Sequence, residues 1–183
     1  MMSCRVLPLA LVLLCSSILC SLGCNLNQGL QEEFFLLNHM SMTSLRPCLK
    51  DRTKFNFPKE AIEGSQLQRK NAIVTVHEML QQTLTLFCLN TPPAAWNQTQ
   101  LTLLLLRVDQ QMEHLERCLG QNVGWQQPSL RSENIQLALK SYFQGISQYL
   151  QAKRYSLCAW EIVRIEIRRL FLFMKKLIRK LRN

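Results

Sequence analysis

Apolar residues recur at three- and four-residue intervals in five stretches of the chain, the spacing of amphipathic helices. The first stretch, about Leu26 to Ser44, carries Leu30, Phe34 and Leu37, with Leu45 continuing the series. The second runs from about Gln66 to Leu89 and turns Ile73, Val76, Leu80 and Phe87 inward. A third covers about Gln98 to Leu119, and a fourth starts from Ser132 as N-cap and reaches Ala152. The fifth begins near Leu157. Between them stand "RPCLKDRTKFNFPKEAIEG", too rich in turn-formers and charge for a packed helix, then "NTPPAAW" and "GQNVGWQQPSLR". The paired prolines of "NTPPAAW" remove backbone donors and restrict the residue before them, so the second helix must stop there. No stretch alternates as a strand would, and no repeat or low-complexity tract is present. The pattern predicts an all-α bundle in which long crossover connections let neighbouring helices run in the same direction.

The last helix has the clearest division of faces. Stepping about 100° per residue puts Trp160, Val163, Ile167, Leu170, Met174, Leu177, Ile178 and Leu181 on one stripe, wide enough to be buried. The opposite side carries Arg164, Arg168, Arg169, Lys175, Lys176, Arg179, Lys180 and Arg182. Ile165 and Leu172 lie among those charges, and Cys158 projects beside them. Apolar residues within a basic arc gain nothing in water, and Arg164 repels Arg168 at i, i+4. This mixture predicts a docking surface.

Charge sharpens that expectation. The chain holds 22 Lys and Arg against 12 Asp and Glu, for a formal net charge of +10. From Lys153 onward ten basic residues face only Glu161 and Glu166. Such a field speeds association with acidic receptors, sulfated glycans or anionic membranes, without choosing among them. Residues 1–23 read as a secretory signal peptide: Arg5 opens it, "VLPLALVLLCSSIL" is its apolar core, and "SLG" precedes Cys24. After Cys24 no run approaches the roughly 20 apolar residues of a membrane span. The expected product is therefore a secreted helical domain over residues 24–183.

Five cysteines follow the leader: Cys24, Cys48, Cys88, Cys118 and Cys158. A secreted context permits disulfides, but two bridges and one spare thiol can be drawn in about 15 ways. The spacings do not suit zinc. The segment "HEMLQ", His77 to Gln81, lacks the second histidine of a zincin, because Gln81 stands where it would be. No nucleophile elbow, phosphate loop or dinucleotide fingerprint occurs, so no catalytic group, cofactor or metal is expected. "NQT", Asn97 to Thr99, is an N-glycosylation acceptor.

Taken together, "CLKDRTKFNFP" (48–58), "HEMLQQTLTLF" (77–87), "AAW" (94–96), "QQMEHLERC" (110–118), "YFQGISQYL" (142–150) and "YSLCAWEIVRIEI" (155–167) closely resemble the type I interferons, in particular the alpha and omega branches. The resemblance implies a five-helix cytokine bundle with two disulfides, Cys24–Cys118 and Cys48–Cys158. Cys88 is then an extra cysteine, expected as a buried inert thiol or, if exposed, a link between two copies of an otherwise monomeric protein. It further implies that two receptor chains are brought together and that associated kinases start antiviral and antiproliferative signalling. By matching position, the high-affinity chain would meet Leu49, Arg52, Arg164, Ile165, Arg168 and Arg169. The low-affinity chain would meet His77, Glu78, Gln81, Leu84 and Lys140. Ile165, Arg168 and Lys140 replace the alanine, methionine and arginine common in close relatives. A bridge from Cys48 to Cys158 would fasten "CLKDR" beside the mixed patch of the last helix. The other reading, from a different class, is a cationic protein that binds membrane surfaces or anionic glycans through that helix. No nucleic-acid partner and no stable membrane insertion are expected.

Overall fold

A computed structural model describes residues 26–41, 44–63, 69–90, 92–120 and 130–180. Side chains 26–29, 69–70, 118–120 and 130–131 lie outside that description, as do the expected leader, Cys24, Leu181 and the Cys24–Cys118 bridge. The described elements are α1 (Leu26–His39), a 3-10 turn (Arg46–Asp51), α2 (Lys59–Glu63), α3 (Arg69–Leu89), α4 (Gln98–Gly120), α5 (Leu130–Ala152) and α6 (Leu157–Lys180). No strand occurs among the described residues. None of these helices is long and apolar enough to cross a membrane.

The five long helices close around one core. Helix α1 packs on α4 and α6, α4 on α3, and α3 on α5, while α6 also meets α3 and α5. The predicted inward residues Ile73, Val76, Leu80 and Phe87 are all buried, as is the α6 stripe from Trp160 to Ile178. Each such large side chain contributes about 1.5–3 kcal/mol of transfer free energy when fully buried. Three aromatic rings form the centre: Phe87 stacks on Trp160 at 5.8 Å, and Trp96 meets Trp160 edge-on at 5.6 Å.

Local chemistry sets the helix ends. Asn97 caps α4, its side-chain oxygen accepting the Gln100 N–H at 3.0 Å. Ser156 caps α6 by accepting the Ala159 N–H at 3.3 Å. Helix α5 stops because Arg154 (φ 51°) and Tyr155 (φ 53°) turn left-handed, and the Tyr155 N–H then reaches the Leu150 carbonyl at 2.8 Å. Three expectations are corrected. Helix α1 ends at His39 rather than Ser44: Met40 turns fully inward, and its carbonyl accepts the Asn97 N–H at 2.8 Å. Ser132 is buried inside the first turn of α5 and is not its N-cap. The long crossover is partly helical, because Ile62 finds a fully buried place and draws α2 onto the bundle.

Candidate functional site

Helix α6 owes its position to a polar cluster in the core. Glu161, fully buried, accepts hydrogen bonds from Trp96 Nε1 at 2.6 Å and from Ser41 Oγ. Arg164 completes it, donating from Nε at 3.0 Å and Nη2 at 2.9 Å to the other Glu161 oxygen. Its Nη1 donates to the Leu37 carbonyl at 2.6 Å, one of the carbonyls left open at the end of α1. Four segments are thereby tied to a single carboxylate and its partner: the end of α1, the turn after it, the α3–α4 connection and α6.

This corrects the place assigned to Arg164. Its side chain is only 6% exposed, so it belongs to the interior rather than to the basic outer face. The buried surface of α6 is wider than the apolar stripe, since Ala159 and Phe171 are also fully buried, and Arg164 falls within it. Glu161, three residues earlier, supplies the compensating charge that a buried guanidinium requires. That i, i+3 acid was the sequence signal for it.

Above this layer the 3-10 turn is held from two sides. A disulfide joins Cys48 to Cys158 across 110 residues, with Cα atoms 4.9 Å apart. Tyr149 of α5 donates to the Asp51 carbonyl at 2.8 Å, and Lys153, just past the end of that helix, pairs with the Asp51 carboxylate at 2.9 Å. The turn therefore presents Leu49 at 59% exposure and an exposed Arg52. Ile165 stands half-buried two turns after Cys158, about 10 Å along the helix. Arg169 is exposed and loosely paired with Glu166 at 3.4 Å, and Leu172 is 47% exposed. Arg168 lies partly folded back: it donates to the Asn38 side chain at 2.9 Å and sits over the Phe34 ring, 6.0 Å from its centre. Five of the six residues expected on this side reach the surface; Arg164 supports it from below.

The second set divides along α3. Gln81 and Lys140 are exposed and Leu84 is half-buried. His77 turns toward α4 and meets Glu116 at 2.9 Å, whereas Glu78 is buried and accepts from the Gln82 amide at 2.9 Å. Lys140 lines a shallow groove between α3 and α5 with Gln82, Leu89 and Phe143. Cys88 is exposed, which removes the buried-thiol alternative, and Leu89 beside it is 78% exposed. Sequence reasoning missed Leu89, since it terminates a helix whose apolar period points elsewhere.

A long-crossover helical bundle with a disulfide-anchored loop against its last helix is the architecture of the helical cytokines. Comparison with known proteins narrows the class. The interferon alpha/beta domain family matches residues 22–181. Human interferon alpha-14 is 44% identical over 181 residues, covering 97% of this chain and 96% of the relative. Interferon tau of Cervus elaphus is also 44% identical, covering 97% and 93%. In fold, the chain is similar to the solved structure of zebrafish interferon 2, with a TM-score of 0.72, 24% identity and coverage of 82% and 97%. The chain belongs to the type I interferon family.

Proposed function

We propose that the protein is a secreted interferon that joins the two chains of a cell-surface receptor and so starts kinase-mediated antiviral and antiproliferative signalling. The composite face of Leu49, Arg52, Ile165, Arg168 and Arg169 meets the high-affinity chain. One observation carries this reading: the Cys48–Cys158 bridge sets an exposed leucine and arginine beside the mixed basic and apolar side of α6. Interfaces concentrate energy in a few central anchors and draw rate and selectivity from surrounding charge. The low-affinity chain meets the outer side of α3 and α5 through Gln81, Leu84 and Lys140, with His77 at the flank, while the buried Glu78 holds Gln82 from beneath. Residues 1–23 are removed on secretion, Cys24 pairs with Cys118, and Asn97 carries a glycan. The exposure of Asn97 at the start of α4, where its amide oxygen accepts the Gln100 N–H, supports the last point.

The membrane-active reading loses its support in the packing of α6. Phe171, Met174, Leu177 and Ile178, which such a helix would insert into lipid, are all buried in the core.

The test pairs a reporter assay with binding. Species-matched cells should induce interferon-response genes, and receptor blockade should abolish the response. Leu49→Ala or Arg52→Ala should weaken binding to the high-affinity chain by about 1–3 kcal/mol with an unchanged melting temperature. Unaltered dissociation constants for both variants would remove this face from the interface.

A further inference from the structure

The far end of α6 gathers charge in a way that the receptor reading does not use. Lys59 Nζ approaches Glu63 Oε2 at 3.6 Å, while Lys176 and Lys180 approach Glu63 Oε1 at 3.9 and 3.5 Å. Three ammonium groups from two elements, each more than half exposed, thus surround one carboxylate. Arg179, exposed, adds a fourth cation on the same side of α6, one helical turn from Lys176. Opposing them are Glu63 and the exposed Glu60 of α2. Cations therefore outnumber acids at this corner, and their mutual repulsion is only partly relieved.

The corner is built, not a chance of flexible side chains. Phe57 packs edge-on against Phe173 at 4.9 Å and Tyr142 at 5.3 Å, and Ile62 is fully buried, so α2 is fixed where it meets α6. A desolvation penalty on the Glu63 carboxyl is outweighed by Lys59, Lys180 and Lys176, which hold it below the usual carboxylate range.

We propose that Lys59, Lys176, Arg179 and Lys180 form a binding site for a linear sulfated polysaccharide. Lysines act as compact point charges and suit sulfate groups that repeat along a chain. A flat lipid surface suits the corner less well. Binding there needs an apolar face to bury, but α6 keeps Met174, Leu177 and Ile178 in the core and, among its described residues, exposes a single large apolar side chain, Leu172, one turn before Lys176. The site lies two turns beyond Arg169, so it can hold the protein on an extracellular matrix independently of receptor engagement.

The probe is immobilised heparin, titrated at several salt concentrations. Lys176→Ala/Lys180→Ala should lower affinity about tenfold and reduce the slope of log K against log salt by about 2, as loss of two ionic contacts to a linear polyanion requires. Glu63→Gln should tighten binding several-fold by removing the internal competitor. Lys50→Ala/Lys54→Ala, which removes equal charge elsewhere, should change affinity less than twofold. An unchanged slope for Lys176→Ala/Lys180→Ala overturns the proposal, as does equal weakening by the Lys50 and Lys54 pair. So does equally tight, equally lysine-dependent binding to phosphatidylserine vesicles. Thermal melts of each variant establish that the fold is intact. The reporter assay is scored separately, so loss of heparin binding and loss of signalling remain distinct results.

Discussion

Replacing Arg164 by methionine distinguishes a buried support from a surface anchor. The change keeps most of the side-chain volume and removes the guanidinium, leaving the Glu161 carboxylate with its neutral donors Trp96 and Ser41 but no counter-charge. The Leu37 carbonyl also loses its donor. Breaking one side of a buried ion pair costs about 3–5 kcal/mol, because the other charge stays in the interior uncompensated. In a domain of this size about 1 kcal/mol corresponds to 2–4 °C, so the melting temperature should fall by roughly 6–20 °C. Glu161→Gln should cost a similar amount, since it strands the guanidinium instead. The double variant should cost clearly less than the two singles together, because neither leftover charge is then present. A double-mutant cycle by urea denaturation, followed by circular dichroism, measures that coupling. The receptor dissociation constant of the folded fraction of Arg164→Met should change less than the stability does. If its denaturation midpoint equalled that of the parent while receptor affinity fell tenfold, Arg164 would be a contact residue and the interior assignment would be wrong.

Glu33 of α1 is fully buried with both carboxylate oxygens unpartnered, and desolvation chiefly raises its pKa to about 7. The folded state thus binds a proton more tightly than the unfolded chain. The Glu33 contribution to stability should be fullest below about pH 4.5 and be lost as pH rises through 7, by an amount on the order of 3 kcal/mol. Urea midpoints at pH 5 and pH 8 should differ in the parent and much less in Glu33→Gln. Cys158→Ser opens a loop of 110 residues and should cost roughly 4–5 kcal/mol in the chain-entropy picture, read as a lower denaturation midpoint. Arg154→Gly relieves a left-handed non-glycine residue and should raise stability by about 0.5–1 kcal/mol, or 1–4 °C in a thermal melt.

The bundle was legible in the chain because helical period depends on local spacing alone. Ile73, Val76, Leu80 and the α6 stripe repeat at that period, and all are buried. Trp96 escaped, since it sits outside any helix, and its 2% exposure follows from the α3–α4 connection folding over α6. Ile62 escaped for a similar reason: a five-residue helix has too few turns to show a period, and its docking depends on Phe57 beside it. Arg164 was misplaced because a helical wheel assigns charge to solvent, whereas burial is decided by which neighbours stand opposite. The surface set followed from family resemblance rather than period. Geometry then sorted its members, bringing Leu49 and Arg52 outward and turning Glu78 inward.

The interior ion pair and the exposed docking face are parts of one arrangement. An apolar core alone would let α6 slide or rotate on α1, since Leu, Met and Ile contacts are non-directional. Hydrogen bonds from Arg164 to Leu37 and from Trp96 to Glu161 are directional, and they fix α6 in rotation and register. The disulfide then refers the crossover turn to the same helix, so Leu49, Arg52 and Ile165 keep one mutual geometry in the free protein. A face already ordered before binding loses less conformational entropy when it docks. Conservative changes at Glu161 or Arg164 should therefore act on receptor affinity through disorder of the face, giving broad losses across all its contacts. Changes at Leu49 or Arg52 should instead act at single contacts, and double-mutant cycles between the two layers separate these modes.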